Sequence, residues 1–395
     1  MKFSYLRYSA GRVLNKKLCL GVIVNLSDYF IQVNGTLIAE GGLTDPVIFD
    51  GGSIIFKAVS NDWDEQTGSG CIIENAVFST TTDAAGFTVY PSEIVIDDSS
   101  PKISQSSNVS ITVNGGSPMV SENTLRYVKI TRGTPKLLNN IIKAVSIDEG
   151  SPQIFSNIIQ DGIDAHDYPV DGSPVIWNNT ITYPGGVKYT AIDLQFNGIP
   201  IVSNNNITGL STPGGLDSYG RPYKAEYTGY GIRVTGNAYI SNNVISGCIN
   251  ASILVYGFPE AEVTIQNNTL KSKGIIIKGA VSTKINYNNI EGSISLIERA
   301  TTDADATYNW WGTTDETVIT QSIVDSKNDF TLGKVNFTPF LTEANPQAIP
   351  DPTASTPPSI QEPEQTELAT AAVVVIMLIV IGTSAGLLLY LIKKK

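Results

Sequence analysis

Along the middle of the chain, apolar residues recur at a fixed offset from asparagine, three positions before it and two after. Gly116, Pro118, Val120, Asn123 and Leu125 return as Gly133, Pro135, Leu137, Asn140 and Ile142. The pattern comes back around Gly150, Ile154 and Asn157, and again around Gly172, Ile176 and Asn179. Looser copies centre on Asn205, Asn243, Asn268, Asn288 and Asn309, with an earlier one on Asn75. From Asn123 onward the asparagines are 17, 17, 22, 26, 38, 25, 20 and 21 residues apart. A unit of about 20 residues with apolar positions two or three apart is too short for a pair of helices. A second apolar segment recurs in each unit, at residues 162–165, 191–194, 231–234 and 274–277. Several short strands per unit, each stacking on its copy in the next, predict a β-solenoid. The recurring asparagine is expected at the bend, in left-handed backbone conformation, with its amide bonded along the stack.

The C-terminus departs from this pattern. Residues 368–392 are uncharged and dense in Val, Ile and Leu. At about 1.5 Å per residue such a helix spans a hydrocarbon core of roughly 30 Å. Lys393, Lys394 and Lys395 follow as a stop-transfer cluster. The positive-inside rule then places this basic tail, 393–395, in the cytoplasm and the bulk of the chain outside the cell membrane. Residues 342–367 hold Pro346, Pro350, Pro352, Pro357, Pro358 and Pro363 among acidic residues, which predicts a semi-stiff stalk. Residues 1–31 read either as a degenerate export signal or as the first coil. Lys16 and Lys17 precede an apolar run at 18–26, but no small-x-small cleavage pattern follows. Residues 32–341 are left for the solenoid.

Charge excludes one class of partner. The net charge is −11, and Lys and Arg cluster only at the termini, so no nucleic-acid backbone is expected to bind. The three cysteines, Cys19, Cys71 and Cys248, follow neither metal-ligand nor disulfide-framework spacing.

The S-P-x-I-x-x-N-x-I coils and the closing Asn309, Trp310, Trp311 and Gly312 resemble the parallel β-helix repeat proteins of the pectin-lyase-like superfamily. Among these, the nearest are the surface and periplasmic relatives labelled NosD-like. The resemblance covers roughly residues 32–341 and implies an all-β fold, a right-handed parallel β-helix. It implies no single chemistry, because the superfamily includes lyases, hydrolases, epimerases, adhesins and other surface proteins. The polygalacturonase signatures N-T-D, G-H-G and R-I-K are absent. Copper delivery, suggested by the NosD label, would rest on one histidine and three methionines.

On such a fold the inward residues form the core, and function falls to outward positions and insertions. The longest insertions, 183–189 and 208–230, carry Tyr183, Tyr189, Tyr219, Tyr223 and Tyr227, which suit stacking on sugar rings or covering apolar surface. Beside them, the recurring second strand is expected to place Asp164, His166, Asp193 and Arg233 on outward positions of successive coils. The resemblance gives carboxylates and an Arg on such a face the catalytic roles. Two reactions fit these residue types: carboxylate-pair hydrolysis, or proton abstraction with Ca2+ held by Asp. The same residues also fit an ordinary solvated face with an Asp193–Arg233 ion pair. A third feature is an outward apolar strip of Leu138, Phe155 and Trp177, expected to bind a glycan or to lie under the N-terminal chain. Binding of polysaccharide or of a cell-surface partner without catalysis is the leading expectation. A membrane-tethered polysaccharide lyase or hydrolase acting on acidic glycans is the alternative.

Overall fold

The computed structural model describes residues 6–7, 11–79, 81–82, 88–90, 92–165, 170–183, 190–209, 211–212, 215–216, 222–223, 226–227 and 229–351. Thirty-four of their strands join in one set of parallel pairings, a β-solenoid, and six more form three small antiparallel pairs. In the regular middle of the chain each coil carries three short strands. The first strands stack as Lys136, Gln153, Val175 and Ile201 in register. The second stack as Ile141, Ile158, Thr180 and Asn206. The third stack as Ser146, Asp164, Asp193 and Arg233. Alternation along each strand turns one apolar residue per strand inward, so Ile154, Ile159 and Ile163 sit below Ile176, Ile181 and Ile192 in a continuous core.

Two columns of side chains explain the repeat. Asn123, Asn140, Asn157, Asn179, Asn205, Asn243, Asn268, Asn288 and Asn309 form an unbroken buried ladder. Each amide nitrogen donates to the next Oδ1, as from Asn140 to Asn157 at 3.0 Å and from Asn157 to Asn179 at 3.1 Å. The same Oδ1 accepts the previous asparagine's backbone N–H, at 2.9 Å on Asn157. The ladder therefore satisfies backbone groups that a tight corner would orphan. The bend itself lies one residue earlier than expected. Asn139, Ser156, Asn178, Asn204, Asn242, Asn267, Tyr287 and Tyr308 take the positive φ, while the ladder asparagines do not. By the same criterion Asn75 is a bend residue, φ 50°, and the ladder position of its coil is Ala76, whose N–H donates to Ser106. At a second corner Gly116, Gly133, Gly150 and Gly172 stack. A Cβ on Gly150 would stand 2.3 Å from the Gly133 carbonyl oxygen, at φ +97°, which is why the repeat opens on a small residue.

The 18–26 run belongs to the first coils: Gly11–Leu18 pairs in parallel with Ile23–Glu40, and Leu18, Val24 and Leu26 are buried. At the other end, Asp315 caps the helix Glu316–Gln321, which sets Ile319 into the core beside Ile323. Trp311 packs edge-on against Phe337 there.

Residues 342–351 are not a free stalk but a strap bonded to the bend corner. The Asn345 N–H donates to Asn289 Oδ1 (2.7 Å), and Asn289 Nδ2 returns a bond to the Asn345 carbonyl (2.9 Å). Asn242 Nδ2 donates to the Gln347 carbonyl, and the Thr269 hydroxyl donates to that of Ala348. Asn204 clamps Asp351 from both sides, Nδ2 to its carbonyl at 2.8 Å and its N–H to Oδ1 at 2.9 Å. The remainder of the expected stalk and the expected membrane helix at 368–392 lie outside the described residues. Among the described residues no helix is long and apolar enough to cross a membrane.

Candidate functional site

The third-strand face brings three of the four expected polar residues into one column. Ile163–Ala165 carries Asp164, Thr190–Gln195 carries Asp193 and Tyr230–Thr235 carries Arg233, each a register partner of the next. Ile192 and Leu194 point into the core, so Asp193 and Gln195 between and beyond them point outward. His166 lies outside the described residues.

Asp193 and Arg233 close on each other. Arg233 Nε donates to Asp193 Oδ1 at 2.8 Å, and Nη2 donates to Oδ2. A guanidinium offers two parallel N–H donors that match a carboxylate, and a parallel stack holds register partners about 4.8 Å apart. The pair is unusual in its shelter. Asp193 is 6% exposed, Gln195 8% and the outward Leu254 on the next coil 2%. Outward positions of the other strands vary, from Trp177 at 6% to Ile158 at 48%.

The insertions leave from one corner. Residues 184–189 follow Thr180–Tyr183 and precede the Asp193 strand; residues 210–228 follow Asn206–Gly209 and precede the Arg233 strand. The longer insertion contains two nested antiparallel pairings, Ser211–Thr212 with Glu226–Tyr227 and Gly215–Leu216 with Pro222–Tyr223. Tyr223 and Tyr227 are therefore on paired strands of an arm. Their side chains, with Tyr189 and Tyr219, lie outside the described residues.

Tyr183 is a correction. It ends Thr180–Tyr183 at an inward position, 7% exposed, and joins the hydrophobic core cluster. Strand parity assigns it there: Ile181 is inward, so the residue two beyond is inward too. The apolar strip does form. Leu138, Phe155 and Trp177 are register partners, and the rings of Phe155 and Trp177 are 6.4 Å apart. The N-terminal strands pair within the first coils, and Asp351, the last described residue of the strap, is bonded to Asn204, one coil on from the coil of Trp177.

For cations, no group of three His, Cys, Asp or Glu side chains converges among the described residues. Ca2+ at this face would have Asp164 beside an Asp193 already held by Arg233. What sequence reasoning missed is the set of corner asparagines that clamp the strap, Asn204, Asn242 and Asn289. For Asn204 and Asn242 the signal was present as Asn-Asn doublets, in which the first member bends and the second joins the ladder; Asn289 instead follows the ladder residue Asn288, and the bend of its coil is Tyr287.

A family described as a right-handed β-helix region matches residues 136–293, which is 158 of the 395 residues. No curated protein and no solved structure matches the chain. The parallel pairings and this match make the chain a β-helix repeat protein.

Proposed function

We propose that this chain is a β-helix protein held at the cell surface that binds a neutral polysaccharide on its third-strand face without cleaving it. The observation that carries the reading is the closed, sheltered Asp193–Arg233 pair. A general acid or base must exchange a proton with substrate, and glycoside hydrolysis needs two such carboxylates. A carboxylate with both oxygens engaged by a guanidinium is poor at either task. The same pair suits recognition, since sugar hydroxyls both donate and accept and bonds to charged groups are the stronger ones. Tyrosines of the flanking insertions would supply stacking surface. The net charge of −11 repels polyanions at long range, which favours a neutral chain over an acidic one. Within the superfamily this reading puts the protein beside the non-enzymatic, NosD-like surface relatives. Residues 368–392 with Lys393, Lys394 and Lys395 would anchor it.

The test is a panel of neutral and acidic polysaccharides offered to the detergent-solubilised full chain, with binding and released products measured together. Binding of a neutral polymer with no new reducing or unsaturated ends is expected. The double variant Asp193→Leu with Arg233→Met should lose binding while keeping its β-sheet circular dichroism. Release of oligosaccharides would favour the lyase or hydrolase reading, and failure to bind any polymer would remove the proposal. Protease added to intact cells should shed the solenoid by cutting within 356–367; a fully protected body would refute the surface arrangement.

A further inference from the structure

At the bend corner one position per coil takes left-handed backbone. Asn178, Asn204, Asn242 and Asn267 fill it on successive coils, at φ 56°, 60°, 55° and 54°. Asparagine suits that conformation, because its short polar side chain tolerates it. The next two coils place Tyr287 and Tyr308 there, at φ 61° and 58°. A bulky side chain is rare at positive φ and strains the backbone, and strain of this kind gathers at ligand sites. The bend does not need tyrosine, since asparagine makes it on the preceding coils. Nor does burial reward the change: Tyr287 and Tyr308 are 44% and 43% exposed. The two rings are stacked, with centroids 5.4 Å apart and planes 10° apart. Their backbone is pinned by three bonds. The Tyr287 N–H donates to the Tyr308 carbonyl (3.0 Å), and the Tyr308 N–H donates to that of Pro339 (2.6 Å). Asn345 Nδ2 donates to the Tyr287 carbonyl (2.6 Å). The rings are thus held in place before any ligand arrives.

We propose that Tyr287 and Tyr308 form a platform for a neutral sugar on the last coils of the solenoid, separate from the third-strand face. The surroundings select the ligand. Asn286 and Thr307 immediately precede the two tyrosines, and Gln266 and Asn267 stand one coil back, all half-buried. Asn286 Nδ2 donates to the Thr307 hydroxyl at 3.1 Å, which keeps this rim together. Further up the same strands, Lys284 and Asp305 are register partners of opposite sign, so the surface carries no net charge to attract an ion. A neutral saccharide matches both parts: its C–H face stacks on a phenol ring, and its hydroxyls bond to side-chain amides and a hydroxyl. The inference stands without the third-strand reading, because the two groups of residues share no member.

The test is tyrosine iodination of the detergent-solubilised full chain, read residue by residue by mass spectrometry, with and without neutral hexasaccharides of glucose and of mannose. At least one hexasaccharide should lower labelling of Tyr287 and Tyr308 several-fold and leave Tyr127, 38% exposed, unchanged. The protection should persist in the Asp193→Leu with Arg233→Met variant; its loss there would assign the sugar to the third-strand face and overturn the proposal. In that same background, adding Tyr287→Asn with Tyr308→Asn should weaken hexasaccharide binding about tenfold by calorimetry. Amide exchange over residues 286–309 should then stay at the parent rate or slow, since asparagine relieves the strained backbone. Equal labelling of both tyrosines with and without every hexasaccharide would overturn the proposal. Faster exchange with unchanged affinity would overturn it as well, and would make the stack a clasp for the last coils.

Discussion

Asn157→Ala tests the claim that the ladder, rather than apolar burial alone, holds the coils in register. Asn157 Oδ1 accepts both the backbone N–H of Asn140 (2.9 Å) and its amide (3.0 Å). Its Nδ2 donates to the carbonyls of Leu137 and Phe155 and to Asn179 Oδ1, at 2.8, 3.0 and 3.1 Å. Truncation leaves some partners served: Asn140 Nδ2 still reaches the Val120 carbonyl, and Asn179 Oδ1 keeps the backbone N–H of residue 157. The Asn140 N–H, buried in the corner, loses its acceptor at 2.9 Å. An orphaned buried donor costs about 1–3 kcal/mol, and the other lost bonds add roughly 0.5–1.5 kcal/mol each before partial compensation. A net loss of about 3 kcal/mol is expected. Solenoids need not unfold in one step, so a single melting temperature is a poor readout. Amide hydrogen exchange resolves individual coils: protection at Asn140 should fall by about two orders of magnitude, with little change near Asn288. A loss below about 1 kcal/mol, or unchanged protection at Asn140, would show that stacking of isoleucines suffices.

Asp193→Ala should destabilise its coil by about 2 kcal/mol because it removes both bonds that Asp193 accepts from the partly sheltered guanidinium, whereas Asp193→Leu with Arg233→Met should come close to the parent in urea denaturation. Gly150→Ala forces a side chain into positive φ against the Gly133 carbonyl and should cost at least about 2 kcal/mol, measured the same way. In a thiol titration at pH 8, Cys19 should react in the native protein, and Cys71 and Cys248 only after denaturation, because burial pushes both of their thiols up. Burial raises Cys248 from its ordinary 9.0 to about 11, so the neutral thiol is the folded form. Its contribution to stability is fully present below pH 9 and is lost as pH rises towards 11. A Cys248→Ala variant should therefore show a shallower alkaline decline in stability.

The fold was legible because burial on a solenoid writes itself into the sequence at every turn. Val120, Leu137, Ile154 and Ile176 occupy one inward column, and the ladder asparagines keep a fixed offset from it. The bend residue was misplaced by one because Asn favours left-handed backbone in general. The doublets offered two candidates, and hydrogen bonding decides between them: only the second asparagine faces inward, where its amide can bond to the coils above and below. The strap was illegible for a different reason. Residues 342–351 are rich in proline and polar groups, a composition that reads as a solvated linker. Their seat is made by backbone groups meeting Asn side chains some 50 to 150 positions away. Backbone recognition leaves little trace in the side chains of the segment recognised.

The polar face was legible in position and not in meaning, and the cause is general to parallel stacks. Register partners always stand at coil spacing, so opposite charges in one column meet whatever their purpose. Lys57 pairs with Asp97 and Lys278 with Glu298 in this way. Burial works against ionisation of Asp97, and the Lys57 and Asn114 bonds overcome it to hold the carboxyl below its usual value. Yet these pairs keep at least one partner well exposed, as Glu298 is at 63%. Such solvated pairs contribute little and specify little. Asp193 with Arg233 differs in being withdrawn, at 8% and 31%, on the coils from which the longest insertions leave. A protein gains little stability from a desolvated ion pair, since apolar residues of similar volume serve as well. Its presence on these coils is therefore better explained by what it presents to a bound chain than by what it adds to the fold. Loss of ligand without loss of stability in the Leu/Met double variant is the result that separates these two explanations.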